Sequence, residues 1–207
     1  MQQFVLRQNI LRFQARLAHE TDAATRRTIG HLLVQAEREF AVLSSARGGV
    51  DDARRTSGDR TALDDYLAFF RRDLASGDRL LLVLDPGPGL VILEVSDAYL
   101  RATLAPRGRL CGRPLFEVFP DNPDDPDADG VANLYASLRT AAETRRPHEM
   151  SIQRYDVRDP QGHFVERHWR PVNAPVLDDD GSVIALLHQV EDVSAYAPRG
   201  RARPRDG

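Results

Sequence analysis

The residues in this chain most suggestive of chemistry are Asp125, Asp127 and Asp129, alternating and followed by Gly130, because they reproduce the first half of an EF-hand calcium loop. The match stops there. Position twelve of such a loop falls on Ala136 where a bidentate glutamate is needed, and Pro126 sits inside the run. The segment therefore reads as an acidic loop ahead of a helix, with Asp127 and Asp129 favouring the positive end of the helix dipole, and no metal site is assigned. The lone Cys111 excludes an intrachain disulfide framework and a cysteine-based zinc site, which fits a reducing compartment. Ser44, Ser45 and Ser194 lack a G-x-S-x-G setting, and no G-x-x-x-x-G-K-[ST] loop is present. No catalytic residue is assigned. His148, His163, His168 and His188 fall in or beside strand-like runs. His188 shares an ideal strand face with Ile184, Leu186 and Val190, which reads as a buried, hydrogen-bonded histidine that could also touch a ligand.

A chain of 207 residues can hold one ordinary domain and an accessory piece. Its net charge of -3 gives no electrostatic reason to bind nucleic acid, although every basic side chain is arginine. The start carries no signal-peptide pattern, and no apolar run approaches the roughly 20 residues of a membrane helix. A cytoplasmic protein without a membrane partner is expected.

Leu6, Ile10, Phe13 and Leu17 form one helical stripe, and Ile29, Leu32, Leu33, Ala36, Phe40 and Leu43 form another. Asp22 is placed to cap the second helix, so residues 1–46 are expected to form a helical hairpin whose stripes face each other or a partner. Residues 47–60 have the glycine-rich, mixed-charge composition of a linker. Thr61 is expected to cap an amphipathic flanking helix within 61–78, carrying Leu63, Tyr66, Leu67, Phe70 and Leu74. Beyond it, strand-like runs at Leu80–Leu84 and Leu90–Val95 are joined by Asp85-Pro86-Gly87-Pro88-Gly89. Short helical turns follow, then a helix near Asp129–Arg145. Three more strands, His148–Val157, Phe164–Leu177 and Val183–Val193, are separated by turn sequences. This order predicts an α+β fold: a five-stranded antiparallel sheet with helices on one face, preceded by the hairpin.

Residues 79–196 resemble the PAS (Per-Arnt-Sim) sensory domains. The resemblance rests on Val95-Ser96-Asp97-Ala98-Tyr99, on Cys111 to Pro120 with its Gly112-Arg113 pair, on Trp169 to Val176, and on Glu191-Asp192-Val193-Ser194, which is similar to the Asp-x-Thr ending of the family. It implies a non-enzymatic module that binds a small ligand between sheet and helices, or binds a protein partner. Asp192 and Ser194 would form the exit motif for the signal. The ligand-facing residues would be Tyr99, Leu115, Phe119, Leu134, Leu138, Tyr155, Trp169 and His188, all of which would also suit a plain core. Tyr155 is out of phase with Met150 and Ile152 on an ideal strand, so a bulge is expected there.

A haem of the kind held by a histidine on the long helix is not expected, since residues 129–146 contain none. The light-oxygen-voltage flavin is not expected either, because Cys111 lacks the Asn-Cys-Arg setting. After Ser194 the sequence runs through Pro198 into RGRARPRDG, expected as a disordered tail at 197–207. The signal would then leave through the N-terminal helices, as a homodimer or to another signalling protein. The alternative is the input portion of a sensor histidine kinase or cyclic-dinucleotide synthase.

Overall fold

The computed structural model describes residues 2–50 and 57–196, with side chains from residue 60 in the second stretch. Residues 51–56 of the linker segment and the tail, 197–207, lie outside the described residues. Helices α1 (Gln2–His19) and α2 (Ala23–Gly48) form the hairpin. Asp22 caps α2 by accepting a hydrogen bond from the Thr25 amide at 2.7 Å. Helix α3 (Ser57–Phe69) starts four residues before the expected Thr61 cap and ends in a π-helical turn, Phe70–Leu74. The π turn closes with the Ala75 amide on the Phe70 carbonyl and buries the Phe70 ring completely.

Strands β1 (Leu80–Leu84) and β2 (Ile92–Val95) form the first hairpin. Helix α4 (Asp97–Ala102), a 3₁₀ turn at Arg107–Arg109, α5 (Leu115–Val118) and α6 (Gly130–Thr144) follow. The third expected strand is broken into β3 (His148–Glu149) and β4 (Gln153–Arg154), while β5 (Val157–Arg158) and β6 (Phe164–Val165) pair with each other. Strands β7 (His168–Leu177) and β8 (Val183–Asp192) complete the order β2-β1-β8-β7-β3, with β4 also on β7, so that β3 and β4 share one edge position. The five-stranded antiparallel sheet is present.

β1 reads Leu-Leu-Leu-Val-Leu because both of its faces are covered. Leu82 and Leu84 pack with Leu115, Leu134 and Leu138 in the main core beneath α4–α6. Leu81 and Val83 pack on the other face with Leu63, Leu67 and Phe70 of the flanking helix, and with Ile184 and Ala185 of β8. That last pairing corrects one expectation: Ile184 does not share a face with His188. Leu177 pairs with Val183 but Val176 pairs with Ala185, so β8 carries one extra residue at this point and Ile184 turns to the opposite side. The edge strand behaves likewise. Glu149 pairs with Val172 and Gln153 with Trp169, four residues against three, and this is the irregularity that brings Tyr155 inward.

α2 is part of the fold as well as a neighbour to it. Ala41 is 1% exposed within the main core, and the end of α2 is stitched to the β1–β2 turn by the Gly89 amide on the Ser45 carbonyl at 2.7 Å. Gly49 makes this approach possible, since a Cβ there would lie 2.1 Å from the Gly87 carbonyl oxygen. Three helical turns before Gly49, Arg38 Nε donates to Asp121 Oδ2 at 2.8 Å and its Nη2 donates to the Ala128 carbonyl. Asp121 Oδ1 accepts from the Val131 amide at 3.0 Å, so it caps α6 from ten residues upstream. Asp129, at the N-cap position, makes no such bond.

Arg38→Ala should therefore leave the Asp121 carboxylate buried without its cation and cost about 2–3 kcal/mol of stability. Hydrogen exchange checks the location: amides of α1 and α2 should lose more protection than those of β7 and β8, and an even loss across the chain would contradict the docking role.

Candidate functional site

Between the sheet and α4–α6 lies a cavity whose walls include Tyr99, Leu115, Phe119, Leu134, Tyr155, Trp169 and His188. Seven of the eight residues nominated from sequence thus meet around one space. The eighth, Leu138, is fully buried one helical turn beyond Leu134 and is not among the lining residues. Sequence reasoning missed Thr103, Gly130, Met150, Gln153, Val157, Pro171 and Val190, which complete the wall. Pro171 and Val190 could have been found by extending the two-residue alternation from Trp169 and His188. Met150, Tyr155 and Val157 reach the same space only because the edge strand is interrupted. Counted as the room open to the centre of a water molecule, the cavity measures about 50 Å³, enough for a few waters or a single small ring.

Local structure explains how each wall residue is held. Ser96 caps α4 by accepting from the Tyr99 amide at 3.2 Å while its hydroxyl donates to the Arg79 carbonyl at 2.8 Å, which fixes α4 against β1 and aims Tyr99 inward. Tyr155 donates its hydroxyl proton to the Phe119 carbonyl, and Trp169 Nε1 donates to the Tyr155 carbonyl at 2.8 Å. The Tyr155 ring lies against Gly130, where a Cβ would sit 2.3 Å from its Cδ2. The rings of Tyr99 and His188 meet edge to face with centroids 6.2 Å apart.

Among the described residues, no carboxylate, guanidinium or amine lines the cavity. Of its polar side chains, His188 heads a buried hydrogen-bonded chain that runs behind the wall. His188 Nδ1 lies 2.7 Å from Asn173 Oδ1, Asn173 Nδ2 donates to Ser137 Oγ at 2.7 Å, and Ser137 Oγ lies 2.7 Å from His148 Nδ1. Asn173 is fully buried and Ser137 nearly so. Burial pushes the His188 imidazole down to about 4, so it is neutral near pH 7. Burial also drives the Tyr99 and Tyr155 phenols well above their ordinary range, which keeps both protonated.

The remaining sequence candidates lie elsewhere. Asp192 Oδ1 accepts from the Ser194 amide at 2.9 Å and from its hydroxyl at 2.5 Å, and Ser194 Oγ accepts from the His168 amide at 2.8 Å. The pair therefore staples the end of β8 to the start of β7. Asp125 pairs with Arg154 at 2.9 Å and Asp127 lies 3.1 Å from His31 Nε2, so two of the three acidic-loop carboxylates are engaged by side chains of the protein. Cys111 is half-buried with its thiol pushed up by burial, and it is not among the cavity's lining residues.

The family model described as PAS fold matches residues 74–197, and the chain belongs to the PAS family. It is thus a PAS domain, a signal-sensing module, with N-terminal helices ahead of it. Among solved structures it is similar to the PAS domain of a protein from Colwellia psychrerythraea, with 12% identity over 65% of this chain and 98% of that one and a TM-score of 0.45. It is similar to the PAS domain of Bordetella pertussis BvgS, with 20% identity, 62% and 87% coverage and a TM-score of 0.47. The Rhodobacter sphaeroides LOV protein is also similar, with 15% identity, 69% and 70% coverage and a TM-score of 0.45. Comparison with curated proteins finds no match. No helix among the described residues is long and apolar enough to cross a membrane.

The low value at His188 has a definite pH consequence. An unfolded histidine protonates near 6.5 and the folded one near 4, so the unfolded state binds more protons between these limits and stability falls as pH drops through them. The loss should reach roughly 3 kcal/mol by pH 4. Urea unfolding from pH 7 to 4 should show it, and His188→Gln should flatten that part of the profile; an unchanged slope in the variant would assign the effect to other groups. At the opposite wall, Gly130→Ala should force the Tyr155 ring aside and cost about 1–3 kcal/mol, measured in the same unfolding assay.

Proposed function

We propose that this chain is a non-catalytic, cytoplasmic signalling module that senses a small molecule in the cavity and passes its state on through the α1–α2 hairpin, to a second copy or to another signalling protein. The observation that carries this reading is that the cavity wall and the hairpin share one loop. Phe119 lines the cavity and receives the Tyr155 hydroxyl; two residues later Asp121 receives Arg38 of α2 and caps α6. A ligand that binds one arrangement of this loop more tightly than another shifts the population between docked and loosened hairpins. The hairpin offers a surface for the next step, since Phe4, Val5 and Leu11 of α1 and Leu32 and Val42 of α2 are each more than 40% exposed.

Two measurements test the reading separately. A thermal-shift and native mass spectrometry screen of small metabolites should yield a ligand; at a hundred times its dissociation constant it should add about 2.7 kcal/mol of stability. A domain indifferent to every compound would leave interaction as its only role. Sedimentation equilibrium tests the partner surface, where self-association should weaken at least tenfold in a Phe4→Glu, Leu11→Glu double variant. A chain that stays monomeric at high concentration would exclude the homodimer and leave a different protein as the partner.

A further inference from the structure

Most polar groups in the cavity wall are already committed. Thr103 Oγ1 donates to the Tyr99 carbonyl at 2.8 Å, and Gln153 Oε1 accepts from Asn133 at 2.7 Å while its Nε2 donates to the Ser151 carbonyl. The Tyr155 hydroxyl and the Trp169 indole N–H are likewise engaged with backbone carbonyls. Two side-chain atoms remain without a hydrogen bond among the described residues: His188 Nε2 and the Tyr99 hydroxyl oxygen. Both residues are more than nine-tenths buried, at 5% and 6% exposure.

The state of His188 Nε2 follows from its neighbours. Asn173 directs its amide nitrogen at Ser137 Oγ and at the Met150 sulfur, 3.5 Å away, and a thioether has no proton to give. The Asn173 oxygen must therefore face His188 Nδ1, and as an acceptor it requires a proton on that nitrogen. A neutral imidazole has one ring proton. Nε2 is then a bare lone pair on a ring that lines an apolar space.

Resting on the proposed sensing role, we infer that the cavity takes an uncharged, mainly apolar molecule about the size of one ring, bearing a hydroxyl that donates to His188 Nε2 and accepts from Tyr99. The lack of charged groups in the wall excludes an ionised ligand, because nothing there would replace its hydration. The volume sets the size. A hydroxyl matches the open pair better than an N–H, since it can give to one atom and take from the other. An isostere without the hydroxyl displaces cavity water yet leaves the buried acceptor unpaired, so discrimination of tenfold or more is expected.

Phenol and toluene, nearly equal in size, are the probes. In the full chain labelled with ¹⁵N-histidine, His188 should show the Nδ1–H tautomer before any addition, and phenol should shift its Nε2 resonance. Calorimetry should give phenol at least tenfold tighter binding than toluene, with the preference lost in His188→Phe and reduced in Tyr99→Phe. The second variant keeps the His188–Asn173 bond, so it remains informative if the first fails to fold. An Nε2–H tautomer, or toluene binding as tightly as phenol, would overturn the inference while leaving the sensing role in place. Binding of neither probe up to its solubility limit would overturn both.

Discussion

The antiparallel pairing of β1 with β8 is the constraint on which the rest of the molecule depends. It joins residues about a hundred positions apart, Leu80 with Val190 and Leu84 with Leu186, and so closes the sheet around its centre. Leu82 falls opposite His188, which in turn lies opposite Asn173 on β7. A one-residue slip would send the imidazole to the α3 side, place Gln189 or Leu187 in the cavity wall, and break the hydrogen bond that defines the histidine's tautomer. The two apolar faces of β1 guard against that slip. Leu82 and Leu84 belong to one core and Leu81 and Val83 to the other, and each core accepts only one parity.

The polar chain from His188 to His148 costs desolvation at every link and returns specificity of arrangement. Ser137 lies on α6, Asn173 on β7 and His188 on β8, so the chain registers the long helix against two central strands at one height. Leucine in these places would pack more simply. A fully bonded polar chain, however, admits far fewer alternative packings than an apolar core, since each displaced group would lose its partner in a medium that offers no other.

Much of this was legible in the sequence, and the omissions share a physical character. Apolar runs and turn residues revealed the strands of the sheet, and Asp22 disclosed the start of α2, because these are signals carried within a few residues. The eight cavity candidates came from the family resemblance, and Leu138 lies outside the cavity wall because helical spacing tells which face a residue occupies and not how far along the cavity extends. Ile184 was misplaced for the opposite reason: one bulge inverts parity, and a run of apolar residues conceals it. Asn173 had a signal available, as it continues the inward series Trp169, Pro171 with a polar side chain. Asp121 had none. Its partner Arg38 is 83 residues away, and its role as a cap replaces that of Asp129, the residue nearest in sequence.

That long-range contact bears on how a signal could travel. Asp121 is held below water's reach, where burial raises its pKa while the Val131 amide and the Arg38 guanidinium oppose the rise. Such a carboxylate is stable only with both partners in place, so under the proposed signalling role it would act as a joint with two settings. The loop that carries it begins at Phe119 in the cavity wall and ends at Gly130 against the Tyr155 ring. Under the same proposal, a change in cavity content that moves Tyr155 would act on both ends of the loop at once. Arg38 would then be either retained, as in this structure, or released into solvent where a guanidinium is well hydrated. The size of the response is bounded by the difference in a ligand's affinity for the two settings, and each factor of ten in that ratio supplies about 1.4 kcal/mol. Because the joint itself contributes a few kcal/mol, a ligand of modest selectivity is sufficient to bias it.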